Sequence, residues 1–173
     1  MRGSMSSVSY SFGPGPLTPA IRAIVIANVA AYVVSWLIPA LSLYLGLMPA
    51  AVVQRLWLWQ PVTYMFLHGG MFHLLFNMLA LWMFGVELER LWGSRFFSRF
   101  YFVCGVGAAA TTIAVSFLPY EFAQNMRVIP TVGASGAIYG LLLAYALYYP
   151  NRPIYLYMLF PIPARVFVII IGA

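Results

Sequence analysis

The sequence contains no lysine and no aspartate, and only 7% of its 173 residues are charged. Soluble domains carry roughly 25% charged residues, so an ordinary soluble enzyme, a DNA-binding domain and a disordered chain are all excluded. The single cysteine, Cys104, excludes a disulfide framework and a cysteine-rich metal site. The chain has instead 64% hydrophobic residues and a mean hydropathy of +0.91. This composition predicts an integral membrane protein.

Five apolar runs follow one another along the chain. They cover residues 20–38, 71–86 (extended backwards by 61–67), 96–118, 132–149 and 166–173. A helix that crosses a bilayer needs about 20 residues, within a range of roughly 17–25. The sequence therefore predicts an all-α, polytopic helical bundle with four complete spans and a truncated fifth. Because the last run stops within the membrane, we expect the chain to be part of a longer protein.

All the basic residues are arginines, and they flank the apolar runs instead of forming a stripe. This distribution is typical of membrane topology and argues against nucleic-acid binding, despite the net charge of +6. With a cytoplasmic N-terminus, seven arginines fall on the inner side and two, Arg55 and Arg127, on the outer side. The positive-inside rule thus predicts a cytoplasmic N-terminus. Spans made of helices, not strands, indicate a membrane of the bacterial inner (plasma) type and not a bacterial outer membrane, and they fit the membrane of a eukaryotic organelle as well.

Two segments outside the main spans carry their own predictions. Residues 1–19 are predicted to be a flexible tail, with residues 1–4 derived from an expression tag, and residues 20–173 to form the membrane domain. Residues 40–60 contain Trp57 and Trp59 and have Arg55 as their only charge. This composition fits two interpretations equally: a segment lying in the membrane interface, or an ordinary aromatic belt.

Polar residues inside membrane helices are costly and are therefore functional candidates. In the second run, His73 and Asn77 are four residues apart and share one helix face. His68 lies five residues before His73, near the outer end of the helix. The second run thus brings three polar side chains close to the outer membrane surface.

The helix predicted in the fourth run opens with Gly133-Ala134-Ser135-Gly136. Tyr139 follows Ser135 by four residues on the same face. Gly136 and Gly140 form a small-xxx-small pair that allows close approach of another helix. The second and fourth helices both run from outside to inside. Ser135 is therefore predicted at the depth of the second helix's polar residues, within about 10 Å of the outer surface at 1.5 Å per residue.

These residue types are the parts of a serine acyl-transfer site. A serine among small residues leaves room for a substrate carbonyl, and helix-start N–H groups, a histidine and an asparagine can stabilise an oxyanion. Each part also has a simpler explanation: helix packing for the serine, an interfacial anchor for the histidines and interhelical bonding for the asparagine. Zinc or haem ligation by two histidines lacks any cysteine or acidic partner.

The combined motifs resemble the rhomboid family of intramembrane serine proteases. The resemblance rests on His68-x4-His73-x3-Asn77, with Gly133-Ala134-Ser135-Gly136 opening a later helix. Residues 59–68 and 89–94 resemble the family's sequence before and after its second helix, so the likeness covers about residues 21–173. The paired motifs are specific, whereas Gly-x-Ser-Gly alone would not be.

The resemblance implies roles for these residues. Ser135 would be the nucleophile, and His73, Asn77 and the main-chain N–H of Ser135 would form the oxyanion hole. His68 would support this hole from its outer side. The substrate pocket would be supported by Gly133, Gly136 and Tyr139.

The resemblance also implies the partners of the protein. Substrates would be transmembrane proteins in the lipid bilayer, cleaved near its outer face at helix-destabilised segments with a small residue before the cut. Residues 40–60 would form a half-embedded segment beside the access route for substrate. No metal and no organic cofactor is implied.

One departure from the family's pattern concerns the general base. In the family this base is a histidine in a sixth helix, whereas this chain ends within a fifth and has two histidines, both on the oxyanion side. A serine without a base remains a poor nucleophile. We therefore expect the longer parent to be a protease and residues 1–173 alone to be inactive.

Two other functions fit part of the pattern. A rhomboid-like pseudoprotease that binds membrane clients would share the fold, but it has no need of Ser135, His73 and Asn77 together. A downstream histidine in a small-residue helix would decide between these two. A channel or small transporter would need further polar groups deep in the bundle, and the third run offers only Thr111, Thr112 and Ser116.

Overall fold

The structure, a computed structural model, describes residues 13–156 and 160–172, and the side chains of all of these except 155, 156, 160, 161, 171 and 172. Within these ranges the chain forms a helical bundle with one small hairpin. The helices are α1 (Pro19–Leu37), α2 (Ala40–Leu45), α3 (Pro49–Arg55), α4 (Gln60–Thr63), α5 (Met71–Trp92), α6 (Ser94–Ser116), α7 (Glu121–Val128), α8 (Ser135–Tyr148) and α9 (Ala164–Gly172). A 3-10 turn covers Tyr64–Phe66, and strands β1 and β2 cover Pro153–Leu156 and Phe160–Pro163.

Three of these helices, α1, α5 and α6, are long and apolar enough to cross a bilayer, with 19, 22 and 23 residues. The prediction of a helical membrane protein is therefore confirmed. Pro19 opens α1, at a position where its missing N–H costs no helical hydrogen bond. Gly93, with a positive φ of 77°, ends α5 and separates it from α6.

The apolar residues before α5 do not extend that helix backwards, which corrects the sequence-based prediction. Residues 60–66 form α4 and the 3-10 turn instead. Leu67 is extended, with ψ 148°, and so is Gly70, with φ 173°. This break changes the direction of the chain. His68 lies between these two residues and is buried in the bundle.

Helix α8 is shorter than the fourth predicted span. It has 14 residues, or about 21 Å at 1.5 Å per residue, against a hydrocarbon core of roughly 30 Å. Its start at Ser135 follows a non-helical segment that is hydrogen-bonded to other parts of the chain. Thr131 exchanges two main-chain hydrogen bonds with Leu47 (2.8 and 2.9 Å), and the N–H of Gly133 donates to the carbonyl of Tyr64 (3.0 Å). The start of α8 is thereby held relative to Leu47 and Tyr64.

Helices α6 and α8 pack closely because glycines face the contact. A Cβ on Gly136 would lie 2.4 Å from the Cβ of Ala108. A Cβ on Gly140 would lie equally close to the sulfur of Cys104. The seam between these helices therefore has no room for larger side chains at either glycine.

At the end of the bundle opposite the start of α5, hydrogen bonds to Glu89 join three helices. Its buried carboxylate accepts hydrogen bonds from the N–H groups of Ala20 (2.9 Å) and Ile21 (3.1 Å) at the start of α1. It also accepts from the hydroxyls of Thr18 and Ser94. The start of α1, the end of α5 and the start of α6 thus meet at one carboxylate.

The predicted N-terminal tail falls partly within the structure. Residues 1–12, including the tag predicted at 1–4, lie outside the described residues. Residues 13–18 lie against α5, where Trp82 donates to the carbonyl of Gly15 (2.8 Å) and Arg90 to that of Pro14 (2.6 Å). Nothing in the sequence analysis anticipated these contacts.

Strands β1 and β2 form an antiparallel hairpin between α8 and α9, with Ile154 opposite Ile162. The sequence analysis did not predict it. The strands are four residues long and contain Pro153, Pro161 and Pro163, which are atypical of strands. The hairpin adds a small β element to the helical bundle.

Candidate functional site

Ser135 is the first residue of α8, and its exposed side chain lines a cleft of about 850 Å³ between α5, α6 and α8. The first N–H groups of a helix have no partner within the helix and carry the positive end of its dipole. The hydroxyl of Ser135 thus lies beside main-chain donors at the edge of this cleft.

His73, the third residue of α5, faces this serine across Gly133. A Cβ on Gly133 would lie 2.8 Å from both Cε1 and Nε2 of His73 and 3.8 Å from the Oγ of Ser135. The imidazole and the hydroxyl therefore border the same small volume above the α-carbon of Gly133. The φ of Gly133 is +127°, which L side chains rarely adopt.

The two ring nitrogens of His73 have different hydrogen-bonding roles. The N–H of Gly69 donates to its Nδ1 in a long bond of 3.4 Å. In a neutral imidazole, a nitrogen that accepts leaves the proton on the other one. Nε2 of His73 therefore carries the hydrogen and points a donor at the volume bordered by Ser135.

Asn77 lies one turn further along α5, is buried, and lines the same cleft as Ser135. Its amide nitrogen donates to the carbonyl of His73 at 2.7 Å. An amide NH₂ has two hydrogens, so one remains for a group in the cleft. The bond to His73 fixes the orientation of the side chain against its own helix.

His68 packs edge-on against His73, with ring centroids 5.1 Å apart. Burial, together with the neighbouring His73, lowers the pKa of His68 from 6.5 to about 4, and the nearby main chain of Phe66 offsets part of this shift. Within the described residues, neither ring nitrogen of His68 makes a well-formed hydrogen bond. His68 is therefore a neutral ring that supports His73 from the side.

The lowered pKa of His68 predicts an acid-sensitive stability. Between about pH 6.5 and pH 4 the unfolded chain binds a proton at this position that the folded chain excludes, so stability falls as the pH falls through this window. Thermal unfolding of the purified protein measured at steps from pH 7 to pH 4 should show this fall. His68→Asn should flatten it, because the variant has no titrating ring there.

Every other effect of acid on stability is common to the wild type and the variant, so only the difference between the two curves is diagnostic. Parallel curves would show that His68 does not titrate in this window on unfolding.

The remaining predicted site residues line the cleft. Gly136 faces α6, and Tyr139 lies one turn below Ser135 with 38% of its surface exposed. The sequence analysis missed the contribution of α6 to this wall, which consists of Cys104, Ala108, Thr111 and Thr112. The sequence signal for this wall was the run of small residues from Gly105 to Thr112. It indicated that α6 packs closely against another helix, but not against which one.

The structure thus brings together Ser135, His73 and Asn77, with Gly133 between the two helices that carry them. Their chemistry is a hydroxyl facing hydrogen-bond donors beside a cleft. Such an arrangement suits a group that develops negative charge on oxygen during reaction.

Comparison with known proteins gives one family for most of the chain. The family model described as Rhomboid domain matches residues 55–173. These residues include every side chain named in the site above.

Several relatives are similar over about half of this chain. Rhomboid protease GluP of Bacillus subtilis is 38% identical over 91 residues, which is 53% of this chain and 16% of that protein. RHOMBOID-like protein 5 of Arabidopsis thaliana is 33% identical over 98 residues, 57% of this chain and 29% of that protein. Rhomboid protein 1, mitochondrial, of Saccharomyces cerevisiae is 35% identical over 103 residues, which is 60% of this chain and 28% of that protein. The matched part of this chain spans less than a third of each relative.

Proposed function

Because the chain belongs to the rhomboid family, whose members are intramembrane serine proteases, we propose that it is part of an intramembrane serine endopeptidase with Ser135 as its nucleophile. The observation that carries this proposal is the convergence of the Oγ of Ser135 and the Nε2 of His73 above Gly133. A nucleophile and an oxyanion donor on opposite sides of one small volume are what acyl transfer requires.

Attack by Ser135 on a peptide carbonyl would place a negative charge on the carbonyl oxygen. The proposed donors to that oxygen are the Nε2–H of His73, the free amide hydrogen of Asn77 and the main-chain N–H of Ser135. Removing one donor from such a hole costs about 10²–10³ in rate in serine proteases. His68 would hold the imidazole of His73 in place, and Gly133, Gly136 and Tyr139 would shape the pocket.

The general base is proposed to be a histidine outside residues 1–173. His73 is poorly suited to this role, because its Nδ1 already accepts from Gly69 and its Nε2 therefore holds the proton. A base must have a free lone pair directed at the serine hydroxyl. Residues 1–173 alone would consequently hold the nucleophile and oxyanion hole without the group that activates the serine.

The proposed substrates are transmembrane proteins cleaved near the outer face of the bilayer, at helix-destabilised segments with a small residue before the cut. The short length of α8, 14 residues, supports this depth, because a helix of about 21 Å cannot cross the whole hydrocarbon core of roughly 30 Å. We further propose a bacterial inner (plasma) membrane with the N-terminus in the cytoplasm. Support comes from Arg22, Arg90 and Arg95 at the Glu89 end of the bundle, and from Arg55 and Arg127 as the arginines of the opposite loops.

A fluorophosphonate probe tests the proposal on the full-length protein. The serine oxygen would bond to phosphorus as fluoride leaves, and mass mapping of the digest should find the adduct on Ser135. The same preparation should cleave a membrane-anchored substrate, and Ser135→Ala should abolish both signals. Labelling of the variant at the wild-type rate would remove Ser135 from the nucleophile role.

The same probe applied to residues 1–173 alone tests the proposed location of the base. We expect no labelling of Ser135 in this shorter chain, because no base activates it. Labelling at the full-length rate would place the base within these residues. A full-length protein that is folded, unlabelled and able to bind membrane clients would support the pseudoprotease alternative.

A further inference from the structure

Tyr64 connects the parts of the bundle that carry the two halves of the site. It lies in the 3-10 turn before α5 and is buried, with 4% of its surface exposed. Its main-chain carbonyl accepts the N–H of Gly133 at 3.0 Å. Its hydroxyl donates to the carbonyl of Gly105 in α6 at 2.7 Å. One residue is thus bonded both to the turn before Ser135 and to the helix packed behind it.

The phenol of Tyr64 reaches the seam between α6 and α8. Its oxygen lies 3.4 Å from the position that a Cβ on Gly136 would occupy, next to Ser135 in the chain. Gly105 allows Met65 of the same 3-10 turn to approach α6, since a Cβ there would lie 2.2 to 2.3 Å from the end of the Met65 side chain. The 3-10 turn is therefore pressed against both helices at the level of the serine.

Among the described residues, the hydroxyl of Tyr64 donates one hydrogen bond, to Gly105. Burial raises its pKa to about 12, so the group stays protonated at any pH at which the protein is handled. It does not line the cleft around Ser135. Its influence on the site must pass through Gly133 and the seam.

We propose that Tyr64 is a positioning residue, which holds the turn at Gly133 so that the hydroxyl of Ser135 stays opposite Nε2 of His73. Only residues 67–70 separate the 3-10 turn from α5, so the location of His73 is set from the same turn. Tyr64 thereby fixes α8 relative to α5, although it belongs to neither helix. This inference rests on the proposed function.

The test is Tyr64→Phe in the full-length protein, with labelling by the fluorophosphonate probe as readout. The variant keeps the ring and the main-chain bond to Gly133 but loses the bond to Gly105. We expect the maximal labelling rate, kinact, to fall about tenfold while the half-saturating probe concentration, KI, stays within about twofold of the wild-type value. A tenfold change corresponds to about 1.4 kcal/mol.

A matched control is Tyr101→Phe. Tyr101 is fully buried in α6, and among the described residues its hydroxyl makes no well-formed hydrogen bond, although it lies near the side chain of Asn28. This variant should leave kinact unchanged even if it alters thermal stability. Replacement of Tyr64 by 4-aminophenylalanine, which restores an N–H donor at the same position, should recover most of the lost rate.

The outcomes separate the two proposals. A wild-type protein that is not labelled contradicts the proposed function and not the role of Tyr64 in the fold. A labelled wild type with an equally fast Tyr64→Phe variant overturns the positioning role. The same follows if KI rises and kinact does not change, or if 4-aminophenylalanine fails to restore the rate.

Discussion

Gly133→Ala should lower the labelling rate of Ser135 at least about 100-fold, a loss of roughly 2.7 kcal/mol of transition-state stabilisation. The added methyl group would lie 2.8 Å from Cε1 and Nε2 of His73, well inside van der Waals contact. The backbone also disfavours alanine, because φ at this position is +127°. The measurement is kinact/KI for the fluorophosphonate probe on the full-length protein.

The clash at Gly133 has no easy relief. His73 cannot swing away freely, since its ring packs against His68 and its Nδ1 accepts from Gly69. The turn itself is held by the bond from the N–H of Gly133 to Tyr64. The strain must therefore displace either the imidazole or the serine, and both displacements damage the proposed oxyanion hole.

Gly107→Ala is the matched control for this prediction. Gly107 lies in α6, and a Cβ there would meet nothing within 4 Å. Alanine is the better helix former by about 1 kcal/mol, so this variant should be at least as stable as the wild type and equally reactive. If Gly133→Ala is folded and labels within about threefold of the wild-type rate, the volume above Gly133 is not the site of reaction.

The sequence was sufficient to predict the span-length helices, because the composition of a membrane helix is itself the signal. The first and third apolar runs were predicted within two residues of α1 and α6 at each end. The start of α8 was predicted at Val132 but lies at Ser135. Hydropathy does not detect that Thr131 pairs with Leu47, a contact between residues 84 positions apart.

The sequence indicated His73, Asn77 and Ser135 as candidate residues but not the geometry around them. Helical spacing placed His73 and Asn77 on one face, and the glycines around Ser135 indicated close approach. The wall from α6 and the connection through Tyr64 depend on which helix packs behind α8, and periodicity within one helix carries no such information. The hydrogen bond from the amide of Asn77 to the carbonyl of His73 depends on the side-chain rotamer of Asn77, which the sequence pattern does not specify either.

Glu89→Ala should lower the free energy of unfolding by at least about 3 kcal/mol. The carboxylate, 3% exposed, accepts two N–H groups from the first turn of α1 and the hydroxyls of Thr18 and Ser94. Each hydrogen bond to a charged group contributes roughly 1.5–3 kcal/mol, and unpaired donors left behind add a desolvation cost. Thermal unfolding in detergent should show a fall in Tm of about 6–12 °C, at 2–4 °C per kcal/mol for a domain of this size.

A graded series separates the role of Glu89 as a hydrogen-bond acceptor from its role in packing. Glu89→Gln keeps the shape and one acceptor oxygen for the N–H groups of Ala20 and Ile21, so it should lose less than half as much stability as alanine. Ser94→Ala removes a single bond and should cost about 1–2 kcal/mol. If Glu89→Gln and Glu89→Ala lowered the free energy of unfolding equally, the negative charge of Glu89, and not the position of its hydrogen-bond acceptors, would hold α1 to α5. If neither variant lowered Tm, the start of α1 would be held by its apolar contacts alone.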